Sequence, residues 1–261
     1  MRFPSICRAI LPLIFVAVTM GPLGAETRTT ITVRGHALSL LRYDPPPPVS
    51  TAAPVRVLLA SGDGGLRGFG NNIAGKLASW GFVVYRFDTR QYLAAFTGEK
   101  HLTTDDVMSD FSDIVDQIRT QPDEKVLLAG WSAGAALVTT AAASEAVQRK
   151  SRGVIAIALP REGVLGWSWH DHFQFLPGVN ASGPLFSTLP FVPRVFPLPM
   201  AIIQSKGDKW VSEDDVSAVF AAAQRSQRTV LIDAGGHSFS ADRDGFLREL
   251  REALDSVLAQ Q

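Results

Sequence analysis

The sequence has almost no cysteine: Cys7 is the single one among 261 residues. Beyond Cys7 no disulfide is available, so stability must come from a large packed core. An excess of charge is also absent, since 25 basic side chains balance 25 acidic ones, and this disfavours a nucleic-acid partner. With 46% hydrophobic residues, the length suits one large α/β domain.

The first 25 residues have the pattern of a secretory signal. Arg2 and Arg8 precede an apolar stretch at residues 10–20, and residues 23–25 are small enough for cleavage. The apolar stretch is shorter than the roughly 20 residues that cross a bilayer, so an uncleaved anchor is the weaker interpretation. The sequence therefore predicts a periplasmic protein whose mature chain begins near Glu26. No later stretch is apolar enough to cross a membrane.

Short apolar runs alternate with helical patterns along the mature chain. Each run is continuously apolar, as strands buried on both faces of a parallel sheet require. The alternation predicts one domain over residues 26–261 with a mostly parallel, doubly wound sheet. The predicted strands are a hairpin at 29–33 and 37–42, then 55–60, 82–87, 126–129, 154–159, 200–204 and 229–232. The predicted helices are 72–79, 105–118, 133–147, 213–224 and 243–258.

The stretch Gly130-Trp131-Ser132-Ala133-Gly134 joins a predicted strand to an alanine-rich predicted helix. A turn this sharp strains its central residue, and side chains at the two glycine positions would collide with the neighbouring strand and helix. The turn would expose the Ser132 hydroxyl at the carboxyl edge of the sheet. Alone, the pentapeptide is equally typical of a glycine-softened helix start, so its context decides.

A serine nucleophile needs a general base, and that base needs an orienting carboxylate. Asp208 and His237 each follow a predicted strand, which places them at the same sheet edge as Ser132. The order Ser132, Asp208, His237 is that of nucleophile, acid and base in α/β-hydrolases. A surface turn is the alternative role for His237. The other carboxylates nearby in the sequence are Asp214, Asp215 and Asp233.

A tetrahedral oxyanion needs two N–H donors, and Ala133, directly after the serine, supplies the first. The second is predicted to come from Asp63, with Gly62 next, because glycines in residues 61–65 let the backbone approach a ligand. The Asp63 side chain either stabilises a turn or faces the substrate, where it would suit a cationic group. Trp131 is predicted to contact the substrate.

Residues 160–199 interrupt the alternation with seven prolines, seven aromatic side chains and no clean periodicity. A long irregular connection in a compact domain is usually functional, so this segment is predicted to be a lid, with Trp167 and Trp169 contacting substrate. Ordinary core is the alternative, and peripheral contact with a membrane surface would follow from the lid interpretation. His170 and His172 lack a third ligand at a recognisable spacing, so no metal site is predicted.

Taken together, these residues resemble the VirJ/AcvB family of exported bacterial proteins. The resemblance rests on the segments 61–65, 87–92, 130–134 and 166–169, and it runs through most of the mature chain. Ser61-Gly62-Asp63-Gly64-Gly65 is the most discriminating segment, because general esterases usually carry His-Gly there. The resemblance implies an α/β-hydrolase fold and, for the AcvB branch, hydrolysis of aminoacyl-phosphatidylglycerol to release the amino acid.

Three functions follow from the residues and the resemblance. The first is hydrolysis of lysyl- or alanyl-phosphatidylglycerol, where the Asp63 carboxylate would meet the amine beside the scissile carbonyl. The second is a serine esterase or thioesterase with another small-molecule or lipid substrate. The third is a VirJ-like binding protein with a secretion-system partner, since a fold alone does not give function. The predicted chemistry needs no cofactor.

Overall fold

A computed structural model describes residues 26–47, 54–98, 101–168, 183–224 and 227–260. These residues include ten strands and seven α-helices. The strands are β1 (Glu26–Val33), β2 (His36–Tyr43), β3 (Arg56–Ala60), β4 (Val83–Phe87), β5 (Val126–Trp131), β6 (Ser151–Ile157), β7 (Glu162–Val164), β8 (Leu185–Ser187), β9 (Met200–Ser205) and β10 (Arg228–Ile232). The helices are α1 (Phe69–Ser79), α2 (Thr89–Ala95), α3 (Thr104–Ile118), α4 (Ala133–Ala142), α5 (Glu145–Gln148), α6 (Glu213–Ala222) and α7 (Arg243–Ala259).

Eight of the strands form one sheet in the order β1-β2-β4-β3-β5-β6-β9-β10. β2 pairs antiparallel with both β1 and β4, and every other neighbouring pair is parallel. The mostly parallel sheet predicted from the continuous apolar runs is therefore confirmed. Because parallel strands end at one edge, the loops after β3, β5, β9 and β10 share that edge.

Helices cover both faces of this sheet. Leu58 and Leu59 of β3 point to opposite faces, as successive strand residues must, and each belongs to a different core. The first core includes α3 and α4, represented by Phe111 and Leu137. The second includes α1 and α7, whose buried residues include Phe246. The two cores hold the sheet between helical layers and fix the direction of each strand end.

The structure departs from the sequence prediction at two helices. The predicted helix 133–147 is divided into α4 and α5, because Ser144 adopts extended backbone geometry between them, and serine competes for backbone hydrogen bonds in helix interiors. Helix α2 was not predicted. It begins after Asp88, whose side chain accepts a hydrogen bond from Gln91 N at 3.0 Å, so a capping signal was present in the sequence.

The segment 160–199 contains regular structure, contrary to the prediction. Strands β7 and β8 pair antiparallel as a separate two-stranded sheet, and a 3-10 turn follows at Pro193–Val195. Val192 and Val195 are fully buried in the first core, so part of the segment is ordinary core. Its middle, residues 169–182, lies outside the described residues.

The predicted signal segment, residues 1–25, also lies outside the described residues. Within the residues that the structure describes, no helix is both long and apolar enough to cross a membrane.

A buried polar cluster ties the β1–β2 hairpin to α2 and α3. The hairpin turns at Arg34 and Gly35 with φ values of 46° and 86°, as the predicted turn requires. Arg34 Nη2 donates to Asp110 Oδ2 at 2.8 Å, and the Tyr92 hydroxyl donates to the same oxygen at 2.7 Å. Burial raises the pKa of Asp110, whereas the hydrogen bonds from Tyr92 and Arg34 oppose that rise. Burial also raises the pKa of Tyr92.

The substitution Tyr92→Phe should lower the free energy of unfolding more at pH 7.5 than at pH 4. The Tyr92 hydroxyl stabilises the ionised form of Asp110, and this form is populated only as the pH rises through the raised pKa of Asp110. We expect a loss of about 1–3 kcal/mol at pH 7.5 in urea unfolding, and a smaller loss at pH 4.

Tyr85→Phe is the matched control, because the Tyr85 hydroxyl accepts a hydrogen bond from Arg56 at 2.7 Å, and arginine stays charged at both pH values. An equal cost of Tyr92→Phe at the two pH values would contradict the assigned role of Asp110.

Candidate active site

Ser132 stands at the apex of a strained turn between β5 and α4. Its φ of 57° and ψ of −124° are unusual for a residue with a side chain. A Cβ on Gly130 would overlap the carbonyl group of Gly134, and a Cβ on Gly134 would overlap the carbonyl oxygens of Ala60 and Ser61. The steric reason given for both glycines from the sequence is therefore seen in the structure.

Asp208 and His237 are joined by a hydrogen bond. His237 Nδ1 lies 2.7 Å from Asp208 Oδ2, and the Asp208 side chain has no exposed area. The other carboxylate oxygen, Oδ1, accepts hydrogen bonds from the backbone N–H groups of Trp210 at 2.8 Å and Val211 at 3.3 Å. These bonds fix the carboxylate, and the carboxylate fixes the imidazole ring with Nε2 as the nitrogen left for a substrate reaction.

The three other nearby carboxylates have different surroundings. Asp233 is 82% exposed and lies 3.9 Å from Lys206 Nζ. Asp215 accepts a hydrogen bond from Ser212 N in the capping box of α6, and Asp214 is exposed in the same first turn. Among the four candidates, the structure brings Asp208 to His237.

Trp131 connects the serine turn to the histidine loop. Its Nε1 donates a hydrogen bond to the carbonyl oxygen of His237 at 3.1 Å, and the two rings are 5.2 Å apart. Phe69 packs against the same indole in a T-shaped arrangement, with ring centroids 5.3 Å apart. Trp131 therefore positions the His237 loop as well as lining the cavity, a role that the sequence did not predict.

The loop after β3 forms a tight turn beside Ser132. Gly65 N donates to Gly62 O at 3.0 Å, which leaves the N–H groups of Asp63 and Gly64 outside the hydrogen bond that closes the turn. A Cβ built on Gly62 would lie 3.5 Å from Ser132 Cβ, so the turn directly adjoins the serine. Ala133 N, on the other side, is the first N–H of α4 and has no preceding helical carbonyl.

These residues open into one cavity of about 380 Å³. It is lined by Ser132, His237, Ala133, Asp63 and Gly64, together with Trp131, Trp167, Trp210, Glu162 and Leu185. None of the described residues that line it is lysine or arginine. The lining therefore combines carboxylates and indole rings, both of which attract a cation.

The cavity residues that sequence reasoning missed include Trp210 and Glu162. Trp210 is 61% exposed and follows Asp208 by two positions, so its place in the acid loop was an available signal. Glu162 lies on β7, and its position depends on the β7–β8 pairing, which no periodic pattern in the sequence indicates. Trp169, predicted to contact substrate, and the pair His170 and His172 lie outside the described residues.

Solved structures establish the class of fold. An esterase domain from Rhodothermus marinus is 21% identical, with a TM-score of 0.60, over 89% of this chain and 98% of its own. A serine hydrolase without a lid from Xanthomonas campestris is 18% identical, with a TM-score of 0.60, over 90% and 97%. A membrane phospholipase A described as a bacterial virulence factor is 14% identical, with a TM-score of 0.62, over 89% and 86%. The chain has an α/β-hydrolase fold.

The family follows from the sequence itself. Residues 55–258, more than three quarters of the chain, match the family described as bacterial virulence protein VirJ. The protein therefore belongs to the VirJ family, which confirms the family resemblance. A comparison with curated proteins gives no match.

Gly134→Ala should destabilise the protein, because the new methyl group would overlap the carbonyl oxygens of Ala60 and Ser61. We expect a loss of about 2–3 kcal/mol, measured by thermal unfolding followed by circular dichroism. Gly64→Ala is the control, since no atom lies within 4 Å of the added Cβ. If both variants melted together with the wild type, the close approach of α4 to the β3 loop would be disproved.

Proposed function

We propose that this protein is a serine esterase in which Ser132, His237 and Asp208 carry out acyl transfer. The observation that supports this most directly is the 2.7 Å contact between His237 and the buried Asp208, because His237 lines the same cavity as Ser132. A histidine with its Nδ1 held by a carboxylate is oriented to remove a proton through Nε2. The strained backbone at Ser132 favours the same role.

In the proposed reaction, Ser132 Oγ attacks the ester carbonyl carbon while His237 Nε2 accepts the hydroxyl proton. The N–H groups of Ala133 and Asp63 stabilise the negative oxygen of the tetrahedral intermediate. The intermediate collapses as His237 returns the proton to the leaving alcohol, and the acyl group remains on Ser132. A water molecule, activated by His237, then attacks this ester and releases the acid. The Asp208 carboxylate orients the imidazole and stabilises its cationic form.

We infer that the acyl group is an amino acid. Asp63 and Glu162 line the cavity beside the catalytic serine, with three indole rings and no basic side chain among the described lining residues. An aminoacyl ester carries a cationic amine next to the scissile carbonyl, and this charge would be stabilised by carboxylates and aromatic faces. A fatty acyl or acidic acyl group would gain nothing from the carboxylates.

We propose aminoacyl-phosphatidylglycerol as the substrate, with the reaction in the periplasm. The rim of the cavity favours a lipid substrate. Trp210 and Leu185 at this rim are 61% and 59% exposed, so these apolar side chains are available to contact lipid chains. The segment 1–25 supports export, and the resemblance to AcvB-type hydrolases supports the amino acid ester.

A fluorophosphonate probe should label the wild-type protein in a periplasmic extract and leave Ser132→Ala unlabelled. The probe reacts with a serine hydroxyl only where a neighbouring base activates it. Absence of the protein from the extract would refute export. Its presence without labelling would refute the nucleophile and favour a binding role in secretion.

Asp63→Asn should reduce the preference for an amino acid over a plain acyl group. We expect the ratio of kcat/KM for alanyl-phosphatidylglycerol to that for propionyl-phosphatidylglycerol to fall about fivefold or more, because only the alanyl ester has an amine for the carboxylate. Asp233→Asn removes an exposed charge outside the cavity and should keep the ratio. An unchanged ratio in Asp63→Asn would exclude amine recognition by Asp63.

A further inference from the structure

The segment 87–92 holds the oxyanion turn in place. Ser61 N donates to Phe87 O at 3.0 Å, and Thr89 N donates to Ser61 Oγ at 3.1 Å. Two residues of the segment also surround the turn itself: a Cβ on Gly65 would lie 3.1 Å from Asp88 Oδ1 and 3.2 Å from Arg90 Nε. The segment that the sequence resemblance singled out therefore forms the wall behind the oxyanion turn.

Most polar side chains of this segment are used by the fold, but the Arg90 guanidinium is not. Asp88 Oδ1 accepts a hydrogen bond from Gln91 N at 3.0 Å, and Gln91 Oε1 accepts one from Ser39 N at 2.9 Å. The Tyr92 hydroxyl donates to Asp110 at 2.7 Å. Arg90 makes no hydrogen bond or ion pair with any described residue. The Arg90 guanidinium instead makes a cation–π contact, with its central carbon 5.2 Å from the centre of the Trp167 ring.

Arg90 lies beside the active-site cavity. Trp167 and Gly64 both line the active-site cavity, and Arg90 lies between Trp167 and the neighbouring Gly65. The Arg90 side chain is only partly buried, so a ligand can reach it. The Asp88 carboxylate, which also lies near Gly65, keeps Oδ1 bonded to the Gln91 backbone. A cation with free N–H donors therefore adjoins a cavity whose described lining has no basic side chain.

We propose that Arg90 is the phosphate-binding residue of the substrate site. A guanidinium presents its N–H groups as a planar fork that matches a phosphate, and the cation–π contact with Trp167 keeps this fork beside the cavity. The inference rests on the proposed function, in which one glycerol unit links the ester at Ser132 to the phosphodiester of the lipid headgroup. Two ion pairs would then recognise the substrate. Its amine would pair with Asp63 and its phosphate with Arg90.

Binding of the headgroup alone tests the inference without any need for catalysis. Glycerophosphoglycerol, which has the phosphodiester but no acyl group, is titrated calorimetrically into the wild type, Arg90→Gln and Arg90→Lys. We expect Arg90→Gln to weaken binding about tenfold or more, and Arg90→Lys, which keeps the charge but loses the fork, to weaken it less. Arg248→Gln, an exposed arginine on α7, is the matched control and should bind like the wild type.

Equal binding by the wild type and Arg90→Gln, or no binding by either, would overturn the phosphate site. Inorganic phosphate is titrated in parallel. Tighter binding of glycerophosphoglycerol than of inorganic phosphate supports recognition of a lipid headgroup, whereas equal or weaker binding would overturn that part of the inference.

A kinetic comparison separates this inference from the proposed esterase function. The substrates are the alanyl ester of glycerol and the alanyl ester of glycerol 1-phosphate, which differ only in the phosphate. Arg90→Gln should lower the preference for the phosphorylated ester about tenfold. An equal fall for both esters would mean that Arg90 only supports Trp167 and the oxyanion turn, and would overturn the inference. If the wild type cleaved neither ester, the esterase would be refuted, while the calorimetric result would still decide the phosphate site.

Discussion

The active site depends on the close packing of α4 against the carboxyl end of β3. At Gly134 the helix approaches the carbonyl oxygens of Ala60 and Ser61 so closely that no Cβ fits between them. This contact brings the serine turn and the oxyanion turn together, since Ser132 precedes the helix and Gly62 follows the strand. This backbone contact therefore fixes how close the two N–H groups proposed to stabilise the oxyanion lie to each other.

A buried arginine, Arg86, also holds the loop between β3 and α1, which contains the oxyanion turn. Arg86 on β4 is fully buried, and its Nη1 donates to the carbonyl oxygen of Leu66 at 3.2 Å and to Asn71 Oδ1. Burial lowers the pKa of Arg86, since desolvation penalises the charged form. The loop between β3 and α1 is thus held by a buried cation, by Ser61 and by the segment 87–92. Rigid support of this kind is what a preorganised oxyanion site requires.

Prediction from the sequence worked best where a local rule constrains the chain. The continuous apolar runs predicted all six core parallel strands, and the amphipathic pattern of α3 predicted its bounds to within one residue. Helix α2 was missed because seven residues carry too little periodicity, although Asp88 marked its start. The pairing of β7 with β8 was missed because the two strands are only three residues long and about twenty residues apart.

The sequence by itself determined the chemistry that is available. The sequence places glycines on both sides of Ser132, an aspartate after β9 and a histidine after β10. Because these strands are parallel, the three catalytic side chains meet at one sheet edge. Only the tertiary structure showed that Asp208 rather than Asp233 meets the histidine, because these two carboxylates both follow a strand and differ in burial and partners. It also placed Trp210, Glu162 and Arg90 around the cavity, since contacts between distant segments depend on packing that no short stretch of sequence specifies.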